Sequence, residues 1–83
     1  MLTKPTEMFY AEVTDTFSGE VKYCCVRRYR IRAVSMLGAI QKLSRHEGLS
    51  FRAAYGGRYD AKGACICAFI DYADEYSPAG KEL

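Results

Sequence analysis

The sequence predicts an α+β domain: a four-stranded antiparallel sheet with one helix packed on one face, in the order strand, strand, helix, strand, strand. Four runs rich in β-branched and aromatic residues alternate at strand period, one run repeats apolar residues at helical spacing behind a serine, and turn-forming clusters separate them. At 83 residues, 49% apolar and 27% charged, the chain has the composition of one folded domain rather than of a disordered segment. The domain is expected to span 1–83, with its ordered core over about 8–72.

Met8 to Thr14 alternates and is rich in strand formers, which places Phe9, Ala11 and Val13 on a buried face. Asp15 to Gly19 is a turn cluster. The second strand is expected from Val21 to Arg32, with Tyr23, Cys25, Tyr29 and Ile31 on one face and a bend or bulge near Arg27-Arg28. Ser35 suits a helix N-cap, although Gly38 at the third position removes the capping box. Met36, Leu37, Ile40 and Leu43 then repeat at helical spacing around the small Ala39. Gly48 fits the left-handed residue that ends a helix, with Leu49 folding back onto Leu43, and Lys42, Arg45 and His46 lie where the dipole favours cations.

Ser50 to Tyr55 alternates again, Gly56-Gly57 breaks it, and Arg58 to Gly63 reads as a polar connection. Ala64 to Tyr72 is apolar on both faces and so belongs in the interior of the sheet. Small Ala68 assigns Ile66, Ala68 and Ile70 to the helix side, which leaves Cys65, Cys67 and Phe69 facing away. Ala73 to Leu83, with Pro78 and Gly80, reads as a loose tail.

Charge is segregated along the chain. Residues 1–20 carry one lysine against four acids, residues 21–62 ten cations against two acids, and residues 63–83 one lysine against four acids. The basic centre peaks at Tyr23-Cys24-Cys25-Val26-Arg27-Arg28-Tyr29-Arg30-Ile31-Arg32. On a strand Arg28, Arg30 and Arg32 share one face at intervals of about 7 Å, and Arg27 points with Tyr29 and Ile31. Such a row suits phosphates of a single-stranded nucleic acid, an acidic protein surface, or a solvated face that guards against aggregation. Partner binding is expected from Arg27, Arg28, Tyr29, Arg30 and Arg32, joined by Tyr55, Arg58 and Tyr59 around the Gly56-Gly57 loop, because tyrosine and arginine dominate protein interfaces.

Nothing in the sequence supports catalysis or a cofactor. Cys24-Cys25 and Cys65-x-Cys67 lack the paired knuckles of a closed zinc site and read as thiols that pack as small apolar residues. His46 stands beside Glu47 with no nucleophile signature and reads as a helix-end cation. Gly56-Gly57 lacks the lysine and the strand-to-helix setting of a phosphate loop, and Lys62 to Phe69 opens like an RNA-recognition signature but lacks its inner aromatics. No apolar run approaches the roughly 20 residues that cross a bilayer, and Met1 to Glu7 lacks a leader-like layout, so a cytoplasmic location in a host cell is expected.

The run Ile31-Arg32-Ala33-Val34-Ser35, followed by Ala39-Ile40 and strands to Tyr72, resembles the layout of small phage and mobile-element proteins of the anti-CRISPR inhibitor type. The resemblance implies a non-enzymatic inhibitor that docks on a host protein or nucleoprotein complex, and it assigns no individual residue. A nucleic-acid-binding module using the arginine row is the alternative. One helix leaves a sheet face open, and a homodimer through that face is a further expectation.

Overall fold

In the computed structural model, which describes residues 5–15 and 25–83, the centre of the sheet is the strand that the alternation of Phe9, Ala11 and Val13 announces. This strand, β1 (Glu7–Asp15), pairs antiparallel with β2 (Cys25–Ala33) on one side and β5 (Ile66–Tyr72) on the other. The helix α1 (Met36–Glu47) follows β2, and β3 (Phe51–Tyr55), β4 (Arg58–Ala61) and β6 (Lys81–Glu82) complete the elements. The sheet order is β3-β4-β5-β1-β2-β6, and β6 alone runs parallel to its neighbour.

The four-stranded antiparallel layout expected from sequence is therefore wrong: the sheet has six strands and is mixed. Two segments account for the difference. Arg58–Ala61 is a strand, because Gly56 and Gly57 take φ values of 57° and 79° and close a two-residue hairpin in which Tyr55 faces Arg58. Positive φ at both positions matches the right-handed twist of the flanking strands. Gly57 is also held by contact, since a Cβ there would lie 2.8 Å from the Ile70 carbonyl oxygen.

The second segment is the supposed loose tail, whose end pairs with the outer edge of β2. Leu83 donates its amide to the Arg30 carbonyl at 2.8 Å, and its side chain packs against the core. To reach that edge, residues 73–80 cross β1 and β2 on the face away from the helix. Gly80 permits the crossing: a Cβ there would stand 2.8 Å from backbone atoms of Arg28 and Tyr29.

The bulge expected near Arg27-Arg28 is absent, since β2 keeps register with β1 from Cys25 to Ala33; the sheet's irregularity falls in β3, between Ala53 and Tyr55. Tyr23, Cys24 and most of the Asp15 to Gly19 turn lie outside the described residues, as does the Cys25 side chain.

The helix forms where its caps dictate. Ser35 Oγ accepts the Gly38 amide at 3.1 Å, and Gly48 ends the helix at φ 68° while the Leu49 amide returns to the Ser44 carbonyl. Ala39, Ile40 and Leu43 bury against Phe9, Ala11, Val13, Ile31, Ala68 and Ile70. Five fully buried side chains, Phe9, Ile31, Leu43, Ile70 and Val13, supply most of this core. At roughly 1.5–3 kcal/mol for each such group, they outweigh any surface ion pair in the molecule.

Candidate functional site

The two faces of β2 treat their cations differently. On the helix side, Arg27 donates Nε to Glu47 Oε1 at 2.8 Å, with Nη2 at 2.7 Å from the same oxygen and Nη1 3.5 Å from Asp15. Glu47 also accepts the Tyr29 hydroxyl at 3.0 Å, and His46 stands edge-on to the Tyr29 ring with centroids 5.2 Å apart. Glu47 is an anion at the negative end of the helix dipole, which disfavours it there. With its side chain only 9% exposed, it relies on the Arg27 fork. The hydrogen bond to Glu47 in turn raises the Arg27 pKa, against the opposing effect of burial. Burial first, and the bond to Glu47 second, raise the Tyr29 phenol above its ordinary value.

Three of the residues expected to bind a partner therefore belong to the helix side. Arg27 and Tyr29 tie β2 to the helix end, Tyr29 being only 4% exposed. Tyr59 stands opposite Ala68 and packs against the core.

The other five, Arg28, Arg30, Arg32, Tyr55 and Arg58, occupy the open face, where strand pairing sets out a transverse row. Tyr55 of β3 faces Arg58 of β4, Arg58 faces Phe69 of β5, Phe69 faces Glu12 of β1, and Glu12 faces Arg28 of β2. A parallel row runs Arg52, Asp60, Cys67, Thr14 and Val26. The site expectation left out Phe69, Arg52 and Cys67 from these rows, as well as Glu12, Asp60, Thr14 and Val26. Strand alternation was the signal for Phe69, and the hairpin that places Arg52 required knowing that β4 exists.

The crossover divides this face into two halves. On the β1–β2 half, Arg28 lies 3.7 Å from Glu12, Arg30 donates to the Ser77 carbonyl at 2.8 Å, and the Arg32 side chain meets no acidic partner among the described residues. Tyr10, roofed by the crossover, donates its hydroxyl to Glu12 at 2.5 Å. Its burial, and then this bond, raise its pKa. On the β3–β5 half, Tyr55 is 81% exposed and Phe69 47%. Arg58 lies between them with Nε 3.3 Å from Asp60 and Nη2 3.5 Å from Cys67 Sγ. Asp60 Oδ1 is shut off from solvent and has that ion contact but no hydrogen bond.

Among the described residues, no group of three or more His, Cys, Asp and Glu is arranged to hold a metal ion, and no helix is long and apolar enough to cross a membrane. No family model, curated protein or solved structure matches this chain.

Proposed function

We propose that the chain is a small non-catalytic interaction protein that docks on a partner protein through the β3–β5 half of the open face. The observation that carries this reading is Phe69, 47% exposed in mid-strand between Arg58 and the acidic Glu12, with Tyr55 81% exposed at the end of the same row. Water gains nothing from an aromatic ring set in a sheet face, whereas a partner that buries it beside Arg58 and Tyr55 gains hot-spot contacts. The setting we propose is that of the phage-borne inhibitors whose layout the chain resembles, acting on a host nucleoprotein complex.

A photo-crosslinking residue at position 69, compared with one at the more exposed Leu37 of the helix, tests the docking surface in host cells. A discrete protein adduct from position 69 that disappears with Arg58→Glu is expected. Identical adducts from both positions, or none from position 69, would overturn the reading. In a CRISPR-immune bacterium, expression should restore phage plating and Arg58→Glu should abolish that effect; unchanged immunity contradicts the inhibitor setting.

A second reading is favoured by the alternation of Arg28, Arg30 and Arg32 on the same face: a nucleic-acid strand laid along β2. It is weakened by the ion contact of Arg28 with Glu12 and the hydrogen bond that Arg30 donates to the Ser77 carbonyl. Fluorescence anisotropy with single-stranded DNA at low salt decides it, with a log-log salt slope of ~0.7 per phosphate neutralised. A second copy of the chain is the remaining occupant of the open face, and sedimentation at rising concentration reports it.

A further inference from the structure

The acidic segments that flank the basic centre of the sequence meet in space. Glu12 comes from the first segment and Asp71 and Asp74 from the last, and together with Tyr10, Phe69 and Tyr76 they line a groove of about 370 Å³ between the sheet and the crossover. That volume lies within the range of sites that hold a ligand group. Aromatic faces attract cations through their quadrupole, and carboxylates add charge and directed hydrogen bonds.

We infer that this groove receives an arginine side chain presented by a segment of a partner protein. The inference goes beyond the docking reading above and shares with it only Phe69 and the neighbouring Glu12.

Four observations select that occupant. Among the described residues, the three ionisable side chains that line the groove besides its tyrosines are all carboxylates, in a chain whose formal charge is +2. Asp71 Oδ1 accepts the Tyr72 amide at 2.7 Å, and Asp74 Oδ1 accepts the Tyr76 amide at 2.8 Å and the Ser77 hydroxyl at 3.3 Å. Each Oδ2 is left without a partner among the described residues, so each aspartate offers an oriented acceptor. Glu12 is already engaged, its Oε2 accepting the Tyr10 hydroxyl and lying 3.7 Å from Arg28 Nε, so Asp71 and Asp74 are the carboxylates left to meet an incoming cation. Finally, the walls are half-open: Tyr76 is 84% exposed and Phe69 47%. An aromatic cage holds a free organic cation by enclosing it, whereas walls this open suit a side chain whose larger partner brings the rest of the cover. A planar guanidinium can stack on a ring while it engages a carboxylate, which a lysine ammonium does less well.

The test is fluorescence anisotropy with a labelled Gly-Ser peptide carrying arginines, set against the same peptide with neutral citrulline at those positions. The arginine peptide should bind about tenfold or more tightly than its citrulline counterpart, a difference of about 1.4 kcal/mol. Asp71→Asn with Asp74→Asn keeps both Oδ1 acceptors, and so the turn, yet should weaken binding by about five- to tenfold; Tyr76→Ala should weaken it by a few-fold. Amide shifts on peptide addition should centre on Tyr10, Phe69 and Tyr76. Equal binding of the citrulline peptide, an unaffected Asn variant or shifts centred elsewhere would overturn the assignment. Free arginine binding as tightly as the peptide would overturn it in favour of a small cation. Shifts at the same amides on concentrating the protein alone would overturn it in favour of a second copy.

Discussion

The two faces of this sheet are built from the same strands and covered by different means. One face receives α1 and packs Phe9, Ala11, Val13, Ile31, Ala68 and Ile70 beneath it. Among the described residues the other receives only the crossover of residues 73–80, and beyond that it presents arginines, carboxylates and half-exposed aromatics. Apolar burial contributes free energy in proportion to area, whereas exposed ion pairs contribute little. Stability therefore belongs to the helix face, which leaves the open face free for the docking role proposed above.

Breaking the helix face should give the largest effect. Phe9→Ala removes a fully buried ring at the centre of the core and should cost about 3–5 kcal/mol in urea unfolding. Gly80→Ala should follow, since the new Cβ would meet β2 backbone at 2.8 Å and force the crossover outward at a cost of about 1–3 kcal/mol. Hydrogen exchange should show it as lost protection at the Leu83 amide, which bonds Arg30, while the β1–β5 ladder stays protected.

An effect no larger than that of Gly80→Ala is expected where a charge ties β2 to the helix end. Arg27→Ala leaves the Glu47 carboxylate at the helix end without its fork and should cost about 1–3 kcal/mol. A double-mutant cycle with Glu47→Gln should return a coupling of about 0.5 kcal/mol or more. The smallest effect concerns alkaline pH. Tyr10 and Tyr29 are neutral phenols whose folded pKa values lie above the unfolded value of about 10. Their contribution is complete below about pH 10 and is lost as pH rises through the higher folded values. An NMR titration should find both phenols ionising above 10 and stability declining in the same interval. Ionisation of both at about 10 contradicts this.

What could be read from the sequence was what short-range physics determines. Phe9, Ala11 and Val13 alternate with polar residues, so their face follows from strand period alone. Ser35 and Gly48 mark the helix ends because capping depends on the few residues around each cap. The short strands were illegible for the opposite reason. Arg58-Tyr59-Asp60-Ala61 has no strand composition of its own and is held between β3 and β5, and Lys81-Glu82 pairs only because Gly80 and Leu83 fix the chain against β2.

The site divided in the same way. Alternation was enough to put Arg28, Arg30 and Arg32 on one face and Arg27 on the other. Whether a given arginine faces solvent or a carboxylate depends on where Glu47, Glu12 and Ser77 come to rest, which is tertiary information. Tyr59 was misplaced because its strand was not recognised, and the acidic groove could not be seen at all, since it takes both the β1–β5 pairing, which sets Tyr10 opposite Asp71, and the crossover, which brings residues 74–78 over them.

The division of labour between the faces is tested most directly on two neighbours in one strand. Ile70 is fully buried under the helix, and Phe69 next to it points to the open face. Urea unfolding of Ile70→Ala and Phe69→Ser, measured together, should show a loss of about 2–5 kcal/mol for the first and under about 1 kcal/mol for the second. A loss for Phe69→Ser as large as that for Ile70→Ala would show that the open face is a second core and would contradict the account.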